Sequence, residues 1–189
     1  MEDWKSGASL TTLKLRAKLL AITREFFADR GVLEVETALL SRSATTDVYL
    51  DSINAFFGHA SSSEKFYLQT SPELQMKRLL AMGVGHIYKI CKAFRGDPPT
   101  SRHNPEFTML EWYRPSFCLT QLMEEVKDFV GATIGCLEVP KYSYLEVFES
   151  VIGLNPHICS LEELESVAQS RLDIASTGLR FSEYLDLLM

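Results

Sequence analysis

The strongest constraint on this chain is a pair of extended runs, "HIYKICKAFR" at 86–95 and "PEFTMLEWYR" at 105–114, separated by roughly ten residues. A parallel pairing needs a crossover of a dozen or more residues, usually a helix. The connecting stretch "GDPPTSRHN" is rich in Gly, Pro, Ser and Thr and has no helical periodicity. The two runs are therefore predicted to pair antiparallel. Helices before and after them make the class α+β, not an alternating βαβ order.

Helical periodicity is clear in "TTLKLRAKLLAITREFFADRG", where Leu15, Leu19, Ile22, Phe26 and Phe27 form a stripe. Thr11 or Thr12 is the predicted cap and Gly31 the stop. "VLEVET" reads as a strand and "SRSATTD" as loop. "YLDSINAFF" and "KFYLQT" read as extended, joined through "GHASSSE". "SPELQMKRLLAMG" predicts a helix capped by Ser71, with Pro72 in its first turn and Gly83 at its end. A further helix is predicted over "LTQLMEEVKDFVGATIG", and weaker ones at about 143–152 and 160–170. Neither GxxxxGK[ST] nor GxGxxG occurs, so neither of those phosphate loops is expected.

Alternation sorts 105–113 into two faces. Phe107, Met109, Glu111 and Tyr113 share one; Glu106, Thr108, Leu110 and Trp112 share the other. A pure core would not choose Glu111, because an unpaired buried carboxylate is costly. A pure solvent face would not choose Phe107 and Met109. A pocket with a ring to stack on and a carboxylate to meet a cation explains the mixture; a half-exposed edge strand with a surface salt bridge is the alternative. Arg95 closes the first strand, and Arg102 and His103 end the loop. Arginine forks of this kind suit phosphate oxygens. Asn104 before Pro105 is also ordinary turn chemistry.

Composition narrows the class. The 189 residues carry a net charge of −6, with 46% apolar and 23% charged residues. The charge is uneven: residues 75–114 hold seven Lys/Arg against three Asp/Glu, and 120–189 hold four against twelve. A basic centre in an acidic chain fits a compact-anion pocket better than a broad nucleic-acid surface. Cys91, Cys118, Cys136 and Cys159 lack CxxC spacing, so reduced, mostly buried thiols in a cytoplasmic protein are expected. No signal peptide or membrane span is expected.

The segment "FRGDPPTSRHNPEFTMLEWY" resembles motif 2 of the class II aminoacyl-tRNA synthetases of the lysyl type. Within that family it is most similar to the branch that attaches lysine to elongation factor P. The first helix with "GVLEVETALLS" resembles motif 1, and "TSPELQMKRLL" the segment between the motifs. The resemblance implies a partial class II catalytic domain over 1–189: motif 1 at about 12–42, motif 2 at about 86–114 and a helical region at 119–189. It implies an antiparallel sheet flanked by helices and truncated before motif 3.

Residue by residue, the resemblance implies that Arg95 binds the α-phosphate of ATP and is catalytic. Gly96 and Asp97 would stand at the adenine contact. Arg102 and His103 would approach the outer phosphates, Asn104 would contact the nucleotide, and Phe107 would stack under adenine. Ser71, Pro72, Glu73, Glu111 and Tyr113 would line the site for lysine or β-lysine. ATP and Mg²⁺ are the implied cofactors, no metal ligand being assigned here. Elongation factor P and a second copy of the chain, paired through motif 1, are the implied partners.

The chain departs from the family pattern at three places. Ala38 replaces a motif 1 proline, Gly96-Asp97 replaces Asn-Glu, and no Gly-rich motif 3 occurs between 115 and 189. The last departure predicts that this stretch alone is catalytically silent. A lysyl-tRNA synthetase catalytic domain is the alternative enzyme. Only about a dozen residues precede the first helix, too few for an anticodon-binding barrel, so tRNA is an unlikely partner on this reading. A non-catalytic fragment that binds nucleotide weakly is the alternative from another class.

Overall fold

The computed structural model describes residues 5, 7–58, 64–135, 138–172 and 178–189. The chain divides into two compact units, Met1–Leu137 and Glu138–Met189.

In the first unit, α1 spans Leu10–Ala28. Its cap is Ser9, not Thr11 or Thr12: Ser9 is extended, and its Oγ accepts from the Thr12 N–H at 3.1 Å. Both threonines lie inside the helix, because a cap must precede the first helical residue. Gly31, at φ +63°, ends the turn that follows. Then come β1 (Leu33–Glu34), β2 (Leu40–Ser41), β3 (Asn54–Phe57), β4 (Glu64–Leu68), α2 (Glu73–Ala81), β5 (Ile87–Phe94), β6 (Glu106–Tyr113) and α3 (Leu119–Ile134). The strand expected over "VLEVET" is cut to two residues, although the Val35 N–H still donates to Tyr88 O. Ser41, assigned to loop by its composition, lies in β2, which exists through pairing with β4. Residues 59–63 of the "GHASSSE" connection lie outside the described residues.

The strands form two three-stranded sheets, β1-β5-β6 and β2-β4-β3. β5 and β6 pair antiparallel, from Ile87 opposite Tyr113 to Phe94 opposite Glu106. β1 adds to β5 in parallel, which makes that sheet mixed. Gln69 ties the two sheets together. Its N–H donates to Leu39 O, its O accepts from Phe94 N–H, and its Nε2 donates to Lys92 O at 2.7 Å.

One face of β5–β6 packs on the helices. Tyr88, Ile90, Leu110 and Trp112 meet Phe26, Phe27 and Phe129. Phe27 is fully buried, and its ring stacks on Tyr88 with centroids 4.4 Å apart. The α1 stripe is buried only at its C-terminal end, while Leu15 stays exposed. The opposite face of β5–β6 therefore carries the candidate site.

The second unit holds α4 (Tyr144–Ile152), α5 (Leu161–Leu172) and α6 (Phe181–Leu188). Ser143 and Glu146 form a capping box, and Gly153 closes α4 at φ +82°. Phe148, Ile152, Leu164, Ala168, Tyr184 and Leu188 make its core. Phe181–Leu188 of the segment "FSEYLDLLM" form α6, which periodicity over so few residues did not announce. The cysteine expectation needs correction. Cys118 is exposed, because it caps α3 at the surface, while Cys91 and Cys159 are half-buried and all three are free thiols. Cys136 lies outside the described residues.

Candidate active site

The β5–β6 register places Phe107, Met109, Glu111 and Tyr113 opposite Ala93, Cys91, Lys89 and Ile87. All four β6 residues are half-buried, as a ligand-facing strand requires. Glu111 is held at both oxygens. Tyr113 donates its hydroxyl to Oε1 at 2.6 Å, and Ser71 donates its Oγ to Oε2 at 3.2 Å. Each carboxylate oxygen keeps acceptor capacity for a further donor. Burial, and then the bonded Glu111 carboxylate, push the Tyr113 phenol well above its ordinary value, so it stays a donor at neutral pH.

Ser71 was read as the helix cap, but Pro72 occupies that position and makes no side-chain cap bond. The Ser71 Oγ still accepts from the Glu73 N–H at 3.0 Å, and this anchors the hydroxyl that holds Glu111. Pro72 is buried behind it. Glu73 begins α2 and its side chain pairs with Lys77 one turn on. A small pocket of about 110 Å³ opens beside Ser71 and Glu73, lined also by Ala38, Asp47, Ser52 and Gln75.

At the other end of the hairpin, the Arg95 guanidinium lies 5.2 Å from the Phe107 ring centroid. The Arg95 N–H donates to Pro105 O, extending the ladder by one bond. Its Nε is buried and has no hydrogen-bond partner among the described residues. A buried guanidinium N–H without an acceptor is costly, and an anionic oxygen would satisfy it. These residues fit a phosphate beside a stacked ring. Arg102, His103 and Asn104 are exposed on the loop. Thr100 organises that turn: its Oγ1 accepts from the N–H groups of Arg102 and His103 and contacts His103 Nδ1 at 3.1 Å. Asp97 is exposed. Among the described residues, no group of three or more His, Cys, Asp or Glu could hold a metal ion.

Gly96 is explained by the fold. Its N–H donates to Asp51 O at 2.8 Å, and an added Cβ would lie 3.1 Å from Asp51 Cβ and 3.2 Å from its carbonyl oxygen. Gly96→Ala is expected to push this backbone off Asp51 and weaken ATP binding by about threefold to tenfold, because the strain is a few tenths of an ångström next to Arg95. Isothermal titration with ATP checks it; an unchanged affinity would separate the Asp51 contact from the Arg95 site.

Three contributors escaped the sequence reading. Lys89 is 3% exposed, and its Nζ donates to Thr37 O at 2.9 Å and to Thr37 Oγ1 at 2.7 Å. Gln69 Nε2 donates to Cys91 Sγ at 3.4 Å. Thr37 itself lies beyond β1. Lys89 and Cys91 stand opposite Glu111 and Met109 in the hairpin register.

The hairpin sets Arg95 and the Phe107 ring at one end and the Glu111 carboxylate, braced by Ser71 and Tyr113, at the other. The family model for class II tRNA synthetases (D, K and N) matches residues 2–169, and the chain belongs to that family. It is 47% identical over 98% of its length to the elongation factor P–(R)-β-lysine ligase of Pseudoalteromonas translucida, covering 58% of that protein. It is 46% identical to the ligases of the same name from Pasteurella multocida and Vibrio vulnificus, over 90% and 88% of this chain and 53% and 52% of theirs. The chain spans about half the length of the curated relatives it matches. No helix among the described residues is long and apolar enough to cross a membrane.

Proposed function

We propose that the protein carrying this chain is an ATP-dependent ligase that adenylates lysine or β-lysine and transfers it to a lysine side chain of elongation factor P. The observation that carries this reading is Glu111, held by Ser71 and Tyr113 on the same strand face as Phe107. Glu111 lies four positions along the strand from Phe107, about 13 Å at a rise of ~3.3 Å per residue. That span lets one amino acid lie between a bound adenine and a carboxylate that receives its ammonium. The names of the relatives support β-lysine and elongation factor P.

In the first step a carboxylate oxygen of the amino acid attacks the α-phosphorus of ATP. The bond to the β-phosphate oxygen breaks and pyrophosphate leaves. Arg95 meets the charge that develops on the α-phosphoryl oxygens, and Phe107 holds the adenine ring. Arg102 and His103 meet the outer phosphates and Asn104 contacts the nucleotide, with Gly96 and Asp97 beside the base. In the second step the target lysine amine attacks the acyl carbon, AMP leaves, and the amine loses a proton as the amide forms. Mg²⁺ would neutralise phosphate charge when bound. We assign the whole of 1–189 to one class II catalytic domain, with motif 1 at about 12–42 and motif 2 at about 86–114. A homodimer through motif 1 and a cytoplasmic location complete the reading.

Glu111→Gln tests it. The substitution keeps shape but removes the charge that meets an ammonium, so lysine or β-lysine affinity should fall by about tenfold or more while ATP affinity moves less than twofold. Titration calorimetry with each ligand measures both. Equal weakening of the two ligands would make Glu111 a structural residue and sink the assignment.

A further inference from the structure

We propose that residues 45–52, within the loop between β2 and β3, form the docking edge for the polypeptide acceptor, with Val48 and Tyr49 gripping the segment that presents the target lysine. The inference rests on the proposed transfer to a lysine side chain of another protein. That step brings a macromolecule to the site. Its amine must reach the acyl carbon, and a lysine has only a four-carbon stem. The acceptor backbone must therefore lie against the surface that borders the site. This loop borders it in two places. Beside Arg95, the Gly96 N–H donates to Asp51 O at 2.8 Å. Beside the residues that brace Glu111, the loop residues Thr45, Asp47, Leu50 and Ser52 share the small pocket with Ser71 and Glu73.

Between these two anchor points the loop holds two large apolar side chains out to solvent. Val48 is 87% exposed and Tyr49 78%, and neither lines the pocket, so a small ligand there does not touch them. Single exposed apolar residues are ordinary, but this adjacent pair sits on a fixed turn. Asp47 Oδ1 accepts from the Tyr49 N–H at 3.0 Å. Thr45 Oγ1 accepts from the Asp47 N–H, and Ser52 Oγ from the Thr45 N–H, both at 3.4 Å. A tyrosine held in this way offers a large contact area at little conformational cost. Charge selects the partner. Residues 45–52 carry Asp47 and Asp51 and no Lys or Arg. That sign suits a segment built around a lysine ammonium and disfavours an acidic one.

Val48→Ser combined with Tyr49→Ser, made in the full-length protein, separates docking from chemistry. Two readouts bypass the acceptor protein: amino-acid-dependent ATP–pyrophosphate exchange, and capture of the acyl group by hydroxylamine as the hydroxamate. Both are expected to stay within twofold. Transfer to elongation factor P is expected to lose about tenfold or more in kcat/KM, chiefly through KM. Transfer within twofold of the unmodified protein overturns the inference. So does an equal loss in exchange or in hydroxylamine capture, which would put the loop in the chemistry instead. Sedimentation and urea unfolding test the other occupants. A dimer lost with the substitutions means that a second copy covers the pair, and a lowered urea midpoint means that the protein's own chain does. Either result overturns the docking role. If the unmodified protein neither exchanges nor transfers, the proposed function falls and this inference with it. If it does both and the variant matches it, only this inference falls.

Discussion

In the full-length protein, Arg95→Ala is expected to lower amino-acid-dependent ATP–pyrophosphate exchange by about 100-fold, with a smaller loss in ATP affinity. The guanidinium stands just past the end of β5, its carbon 5.2 Å from the Phe107 ring centroid, and its buried Nε has no partner among the described residues. Removing one fixed donor aimed at developing transition-state charge costs about 10²–10³ in rate. Ground-state binding of ATP loses only one charge-assisted hydrogen bond, about 1.5–3 kcal/mol. A loss below tenfold in exchange would remove Arg95 from the α-phosphate. Arg95→Lys is expected to recover little, because an ammonium cannot reproduce the planar fork.

Breaking the Arg114–Glu125 pair should be the most destabilising charge substitution in the first unit. Arg114 ends β6 and Glu125 lies on α3; their nitrogen and oxygen are 3.3 Å apart and their side chains are only 8% and 6% exposed. The other Glu125 oxygen accepts from Trp112 Nε1 at 3.1 Å, and the Arg114 guanidinium lies 4.4 Å over the Phe117 ring. Glu125→Ala leaves a buried guanidinium without its counter-charge and the indole without its acceptor. The expected loss is about 3–5 kcal/mol, read as a lower urea midpoint with unchanged m. Replacing both partners, Arg114→Met with Glu125→Leu, should restore most of it, because two apolar groups leave no charge stranded. A Glu125→Ala loss below 1 kcal/mol would mean that solvent reaches the pair.

Both results turn on features of unequal visibility in the sequence. Arg95 stood out because it closes a strand before a Gly/Pro loop, and a lone cation there needs a reason. The Arg114–Glu125 pair did not, because alternation says which way Arg114 points but not that α3 returns to meet it. The same limit explains Ser71. As a residue before Pro-Glu it looked like a helix cap, and only the fold shows its hydroxyl turned to Glu111. Gly96 stands where the family pattern has Asn, and the structure gives it a cause in the close approach of Asp51.

The sequence by itself determined the antiparallel β5–β6 hairpin and the two faces of β6, along with α1 through its C-terminal stripe. These depend on local alternation, periodicity and loop length, which are properties of neighbours in the chain. The tertiary structure alone decided the parallel addition of β1 and the two-residue strand β2. It also decided the clamp of Gln69 between the sheets and the burial of Lys89 on Thr37, opposite Glu111. Each of those joins residues far apart in sequence, and their energies depend on desolvation, which no local pattern records.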